Sequence, residues 1–156
     1  MKNRIVRSCT ILVLGLAAAQ TIASAQEMPG IEGVWLANLT SINCQTRVPL
    51  PGITLRGLFM FSHDGSLTTE AAFFAPSPRR SSGLGEWRHA QAHTYTATFQ
   101  FFRYNEDGSF FSVRKVTLTI DLNGDQFTSS DKVEEFNADN VLVSTGCATE
   151  TATRAQ

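Results

Sequence analysis

GVWLANLTSINC, Gly33 to Cys44, and TGCATETATR, Thr145 to Arg154, stand near opposite ends of a 156-residue chain. Each holds one cysteine and one side chain able to cover the end of a core, Trp35 in the first and Arg154 in the second. Ends that carry matching parts are ends that meet. A sheet whose first strand pairs with its last has no free edge, which is the condition for a closed barrel.

The chain between them alternates apolar and polar residues, rich in Thr, Val, Phe and Ile, and shows no convincing helical period after residue 25. Asp64-Gly65, Asp107-Gly108 and Asn123-Gly124 are short-range hairpin signals. Asn137 to Asn140 and Ala90 to His93 mark two further turns. The runs between turns predict eight strands, at 33–44, 54–62, 67–74, 84–90, 94–105, 110–122, 126–136 and 141–153. Strands joined in sequence by tight turns form a meander, and eight of them close into an antiparallel up-and-down barrel. The expected fold class is therefore all-β. Two longer connections, 45–53 with Pro49 and Pro51 and 75–83 with Arg79 and Arg80, read as loops near an opening.

Residues 1–25 read as a signal peptide. Lys2, Arg4 and Arg7 precede an apolar run, Ile11 to Ala19, and Ala23-Ser24-Ala25 has the small-x-small form of a cleavage site. The run is shorter than a membrane span needs, so no retained anchor is expected. Residues 26–156 are then one domain, expected in the periplasm or secreted. Removing the three leader cations leaves 10 of the chain's 13 basic residues against 14 acidic ones, a net charge of −4. No basic stripe remains for nucleic acid.

Cys44 and Cys147 are the two cysteines left, and an even pair in an exported chain reads as a disulfide, with two free thiols as the alternative. If Cys44 lies opposite Cys147, Trp35 and Arg154 become diagonal neighbours on one face. An arginine stacked on an indole would then plug the barrel floor.

With Gly33 and Trp35 on the first strand and Arg154 on the last, the chain resembles the lipocalins and wider calycins, whose GxW and closing arginine these residues match. It is more similar to small exported bacterial lipocalin-like proteins of unknown function, with allene-oxide-cyclase-like barrels as a further comparison. The resemblance implies a barrel with a ligand cup. It carries no catalytic residue over to this chain.

Hairpin arithmetic places the chemistry. An Asp107-Gly108 turn sets Phe99 opposite Val116, Phe101 opposite Arg114 and Arg103 opposite Ser112. Tyr95, Phe99, Phe101 and Arg103 then share the apolar, inward face with Arg114. An Asn123-Gly124 turn adds Phe127, places Asp131 opposite Val116, and brings Glu135 near Arg114. An Asp64-Gly65 turn pairs Phe59 with Glu70, so Glu70 would follow Phe59 inward.

The functional expectation is a cup in which Arg103 and Arg114 hold an acidic group while Tyr95, Phe99, Phe101 and Phe127 hold an apolar body, with Asp131 and Glu70 nearby. The competing reading is an Arg–Asp lattice that closes the barrel around no ligand. A cyclase or isomerase using Glu70, Asp131 or Tyr95 as base is the enzymatic alternative, and a filled barrel acting through its loops is a third. The expectation leans away from an enzyme. The expected partner is a small hydrophobic or acidic molecule, bound by a monomer with no cofactor. His63, His89 and His93 lack metal-site spacing, and the serines lack a GxSxG context, so neither a metal centre nor a serine hydrolase is expected.

Overall fold

A computed structural model describes residues 30–72 and 79–156. The segment expected as a signal peptide, 1–25, and part of the second long connection lie outside the described residues. The described residues contain strands and no helix: β1 (Gly33–Ile42), β2 (Pro49–Phe61), β3 (Ser66–Ala72), β4 (Arg79–Arg80), β5 (Gly83–Gln91), β6 (Thr94–Tyr104), β7 (Phe110–Asn123), β8 (Gln126–Phe136) and β9 (Leu142–Arg154). β4 and β5 both pair with β6, one beyond the other, and form a single interrupted stave. Eight staves follow one another in chain order, all antiparallel, and β9 pairs back onto β1. The sheet is a closed up-and-down barrel.

The closing ladder sets Trp35 directly opposite Arg154, two positions from the expected register. The reason lies with the cysteines. Cys44 stands past the end of β1, in the turn, so the bridge to Cys147 joins a turn to a strand rather than two facing strand residues, and Ile42 takes the place opposite Cys147. The bridge itself is present, with Cα atoms 5.2 Å apart. Because the slip is an even number, every side chain keeps its face.

Three of the hairpins share one turn. Ser62/Ser66, Asn105/Ser109 and Asn137/Val141 close three-residue loops through backbone hydrogen bonds. Gly65, Gly108 and Asn140 take the positive φ at the third loop position. In the first two loops Asp64 and Asp107 accept bonds from the backbone N–H and hydroxyl of the following serine, at the same 2.9 and 2.7 Å.

A three-residue loop moves the β2–β3 register by one from the expected value. Phe59 faces Thr69, and Glu70 faces Leu58 on the outer surface. In β6–β7 a bulge between Arg103 and Tyr104 cancels the same shift, so Phe99/Val116, Phe101/Arg114 and Arg103/Ser112 pair as expected. The β7–β8 turn centres on Gly124-Asp125, one residue later than expected, and there Asp125 receives the Arg154 guanidinium at 2.8 Å. Asp131 accordingly faces Leu118, not Val116, and Arg114 faces Glu135.

β2 begins at Pro49, within a segment expected as loop. Between the pairs Thr40/Thr54 and Ile42/Pro49, β2 spends four residues against one on β1. Pro51 falls in this bulge, where its missing N–H costs no ladder bond.

The lower half of the barrel is filled. Trp35 is fully buried and its Nε1 donates to the Ile31 carbonyl at 2.7 Å, while Arg154 lies 4.3 Å above the indole. Arg154 also donates to the Gly30 and Glu32 carbonyls. Phe127 packs on Trp35, Phe59 and Phe61 at centroid separations of 5.1 to 6.3 Å, and Trp87 closes on Phe61 at 6.1 Å. Burying each phenylalanine contributes about 1.5–3 kcal/mol, and tilted or edge-on aromatic pairs add about 0.5–1.5 kcal/mol.

Candidate functional site

Above this aromatic floor the barrel is open. A cavity of about 520 Å³ reaches the mouth formed by the ends of β1, β3, β6 and β8 and the starts of β2, β7 and β9. Its wall is mostly apolar: Leu39, Leu55, Phe59, Phe99, Phe101, Val116 and Val133. Gly85 faces Phe99 across the ladder, and a Cβ there would lie 1.9 Å from the Thr98 carbonyl and 2.5 Å from the Phe99 Cα. Only glycine lets β5 lie this close to β6.

Arg103 and Arg114 stand on the cavity wall and share one carboxylate. Arg103 Nη1 binds Glu135 Oε1, Arg114 Nη2 binds Oε2 at 2.6 Å, and the Ser112 hydroxyl donates to Oε1 at 2.6 Å. Burial alone would raise the Glu135 pKa, but the bonds from Ser112 and Arg114 and the charges of both arginines outweigh it and hold the carboxyl at about 2. Arg114 Nε, also buried, has no partner among the described residues.

Arg80 is a third wall arginine, and sequence reasoning placed it in a loop. β4 pairs with the end of β6, which carries Arg80 inward over the Phe101 ring at 3.9 Å. It donates to Thr69 Oγ1 at 3.1 Å and to the Ser81 carbonyl at 2.9 Å. Burial lowers its pKa to about 10, so it stays charged at neutral pH. No carboxylate lies within ion-pair distance of it among the described residues. The serine- and proline-rich composition around it gave no strand signal; only pairing with β6 orders it.

Asp131 and Glu150 sit deeper, on the inner faces of β8 and β9, and are 3% and 2% exposed. Glu150 lines the bottom of the cavity, opposite Leu39 on β1 and Ser129 on β8. Ser129 donates to Asp131 Oδ1 at 2.5 Å, while Asp131 Oδ2 and Glu150 Oε2 have no partner among the described residues. Burial pushes the Asp131 carboxyl up to about 7, against the Ser129 bond and the charge of Arg47. Burial, then the neighbouring Asp131 charge, pushes Glu150 well above the usual carboxylate range. Two carboxyls this close in an apolar wall do not both ionise readily. Glu150 was missed because an ordinary Thr/Glu alternation in β9 gave no sign of which face is inner; the Trp35–Arg154 register was the available signal.

The remaining expected residues divide. Phe99, Phe101, Arg103 and Arg114 come together on the cavity wall. Tyr95 and Phe127 lie in the packed floor, Tyr95 against Trp87 and His89. Glu70 faces outward rather than following Phe59, and reaches only the rim of the cavity, where its charge acts on Arg80. His63 pairs with Glu32 at 3.0 Å at the surface, and His89 binds the Ala92 carbonyl at 2.8 Å. The chain matches no protein-family model, and no curated protein matches it in sequence.

Proposed function

We propose that this chain is an exported, lipocalin-like barrel that binds a small, mostly apolar molecule carrying an acidic group. The observation that carries this reading is the charge of the cavity wall. Three guanidinium groups, Arg80, Arg103 and Arg114, stand on the wall of a mostly apolar 520 Å³ cavity, and two of them share one ionised carboxylate, Glu135. At the rim, Arg56 adds a fourth cation and Glu70 an anion whose charge acts on Arg80. A carboxylate or similar oxyanion would meet the unpartnered Arg114 Nε and the excess charge, while Phe99, Phe101, Leu39 and Leu55 enclose its apolar body. The disulfide suits an oxidising compartment and supports export.

A barrel cyclase or isomerase is the second reading, and Glu150 at the cavity bottom, with the buried Asp131 beside it, is the observation in its favour. A wholly filled barrel fits less well, because the upper half is open.

Native mass spectrometry of protein purified from its own cell envelope should show a copurifying small acid. Dodecanoate should bind, and Arg114→Ala should weaken it about tenfold, the size of one charge-assisted contact. Unchanged affinity in a folded variant removes Arg114 from the site.

A further inference from the structure

The ionisable groups in and beside this cavity lie at two depths. Arg80, Arg103 and Arg114 are near the mouth. Glu150 is at the bottom with Asp131 buried beside it, and this pair is not part of the arginine network: no ion pair joins Asp131 or Glu150 to a cation among the described residues. Arg114 faces Glu135, and Asp131 lies four residues deeper along β8, about 13 Å at 3.3 Å per residue. Between the two levels the wall is Val116, Val133, Phe59 and Phe99.

We infer that the cavity takes a ligand polar at both ends: an acidic head at the arginines and, at the cavity bottom, a neutral oxygen that accepts a hydrogen bond from the Glu150 carboxyl. This rests on the binding reading above and narrows its ligand class. Glu150 is a cavity-lining side chain, almost wholly buried, with an oxygen that nothing in the described protein satisfies. A buried polar atom without a partner costs about 1–3 kcal/mol, so such an atom beside a cavity marks where a ligand group belongs. Its neighbour Asp131 decides the sign of that group. Two carboxyls in an apolar wall retain at least one proton between them, and a protonated carboxyl is a donor. A hydroxyl, carbonyl or ether oxygen accepts that bond and needs no counter-charge. An unsubstituted alkyl end would leave Glu150 Oε2 as it is. An ammonium group would instead draw the protons off.

The test uses the disulfide-bonded protein and matched probes: decanoate against 10-hydroxydecanoate, and dodecanoate against 12-hydroxydodecanoate, titrated by calorimetry. At least one hydroxy acid should bind the wild-type protein about fivefold or more tighter than its parent acid. Glu150→Leu should abolish that preference and still bind the parent acid, which also reports that the variant has folded. Parent acids binding the wild-type protein as tightly as both hydroxy acids would overturn the inference, and this arm needs no variant. So would a preference that survives Glu150→Leu, or tighter binding of 12-aminododecanoate than of 12-hydroxydodecanoate. If parent acids bind in an Arg114-dependent way without any hydroxyl preference, this inference fails and the binding reading stands. If no acid binds, both fail.

Discussion

Glu135 and the Asp131–Glu150 pair are buried carboxyls in the same barrel with opposite linkage to pH. Glu135 is held at about 2 by Ser112 and two arginines, below its unfolded value of about 4.3. Its stabilisation is complete above that unfolded value and is lost as pH falls from there toward 2. Asp131 is raised to about 7 and Glu150 is raised well above its usual range, so between about pH 4 and 7 the folded chain holds more protons than the unfolded one. Stability therefore falls as pH rises through that window, by up to about 1.4 kcal/mol per pH unit for each group. Urea unfolding should show the wild-type protein more stable at pH 5 than at pH 7.5. The Asp131→Asn/Glu150→Gln double variant should be nearly flat over the same range. A flat wild-type profile would mean that the pair is not buried with its protons.

At the scale of the element, the hairpins control what enters the cavity. The same three-residue loop joins β2 to β3 and β6 to β7, yet it sends Glu70 outward in the first and leaves Arg103 inward in the second. The difference is one bulge at Arg103/Tyr104. β5 contributes by lacking side chains where β6 leans over it. Gly85→Ala would place a methyl against the backbone of Thr98 and Phe99, atoms that cannot swing aside. The substitution should destabilise by about 2–3 kcal/mol and displace Phe99 from the cavity wall. The urea midpoint measures the first, and the affinity for dodecanoate the second. A neutral result would show that β5 and β6 are further apart than described.

For the whole molecule, closure is secured twice, by the β1–β9 ladder and by the Cys44–Cys147 bridge. The two act on different states. The ladder belongs to the folded barrel, whereas the bridge restricts the unfolded chain, closing a separation of 103 residues. The chain-entropy account gives on the order of 4–5 kcal/mol for a loop of that length. Cys44→Ser/Cys147→Ser should keep the barrel's circular dichroism spectrum and lose about 4 kcal/mol in urea unfolding. Loss of the spectrum itself would show that the ladder alone cannot close the sheet.

Much of this was legible in the residues. Alternation, turn dipeptides and matched ends specify eight meandering strands, a Cys44–Cys147 bridge and a Trp35–Arg154 plug, because side-chain period and turn chemistry are local properties. The inward placement of Phe99, Phe101, Arg103 and Arg114 followed from the same period of two, which survives any even slip. Tertiary structure alone decided the rest. Loop length and bulges change a register by single residues, and an odd slip turns a side chain inside out, as it did Glu70. Arg80 gains its place only when β4 finds β6, and Glu150 meets Asp131 only when β8 and β9 lie side by side. Where a charge stands in a barrel depends on which strands become neighbours, and no short stretch of chain contains that.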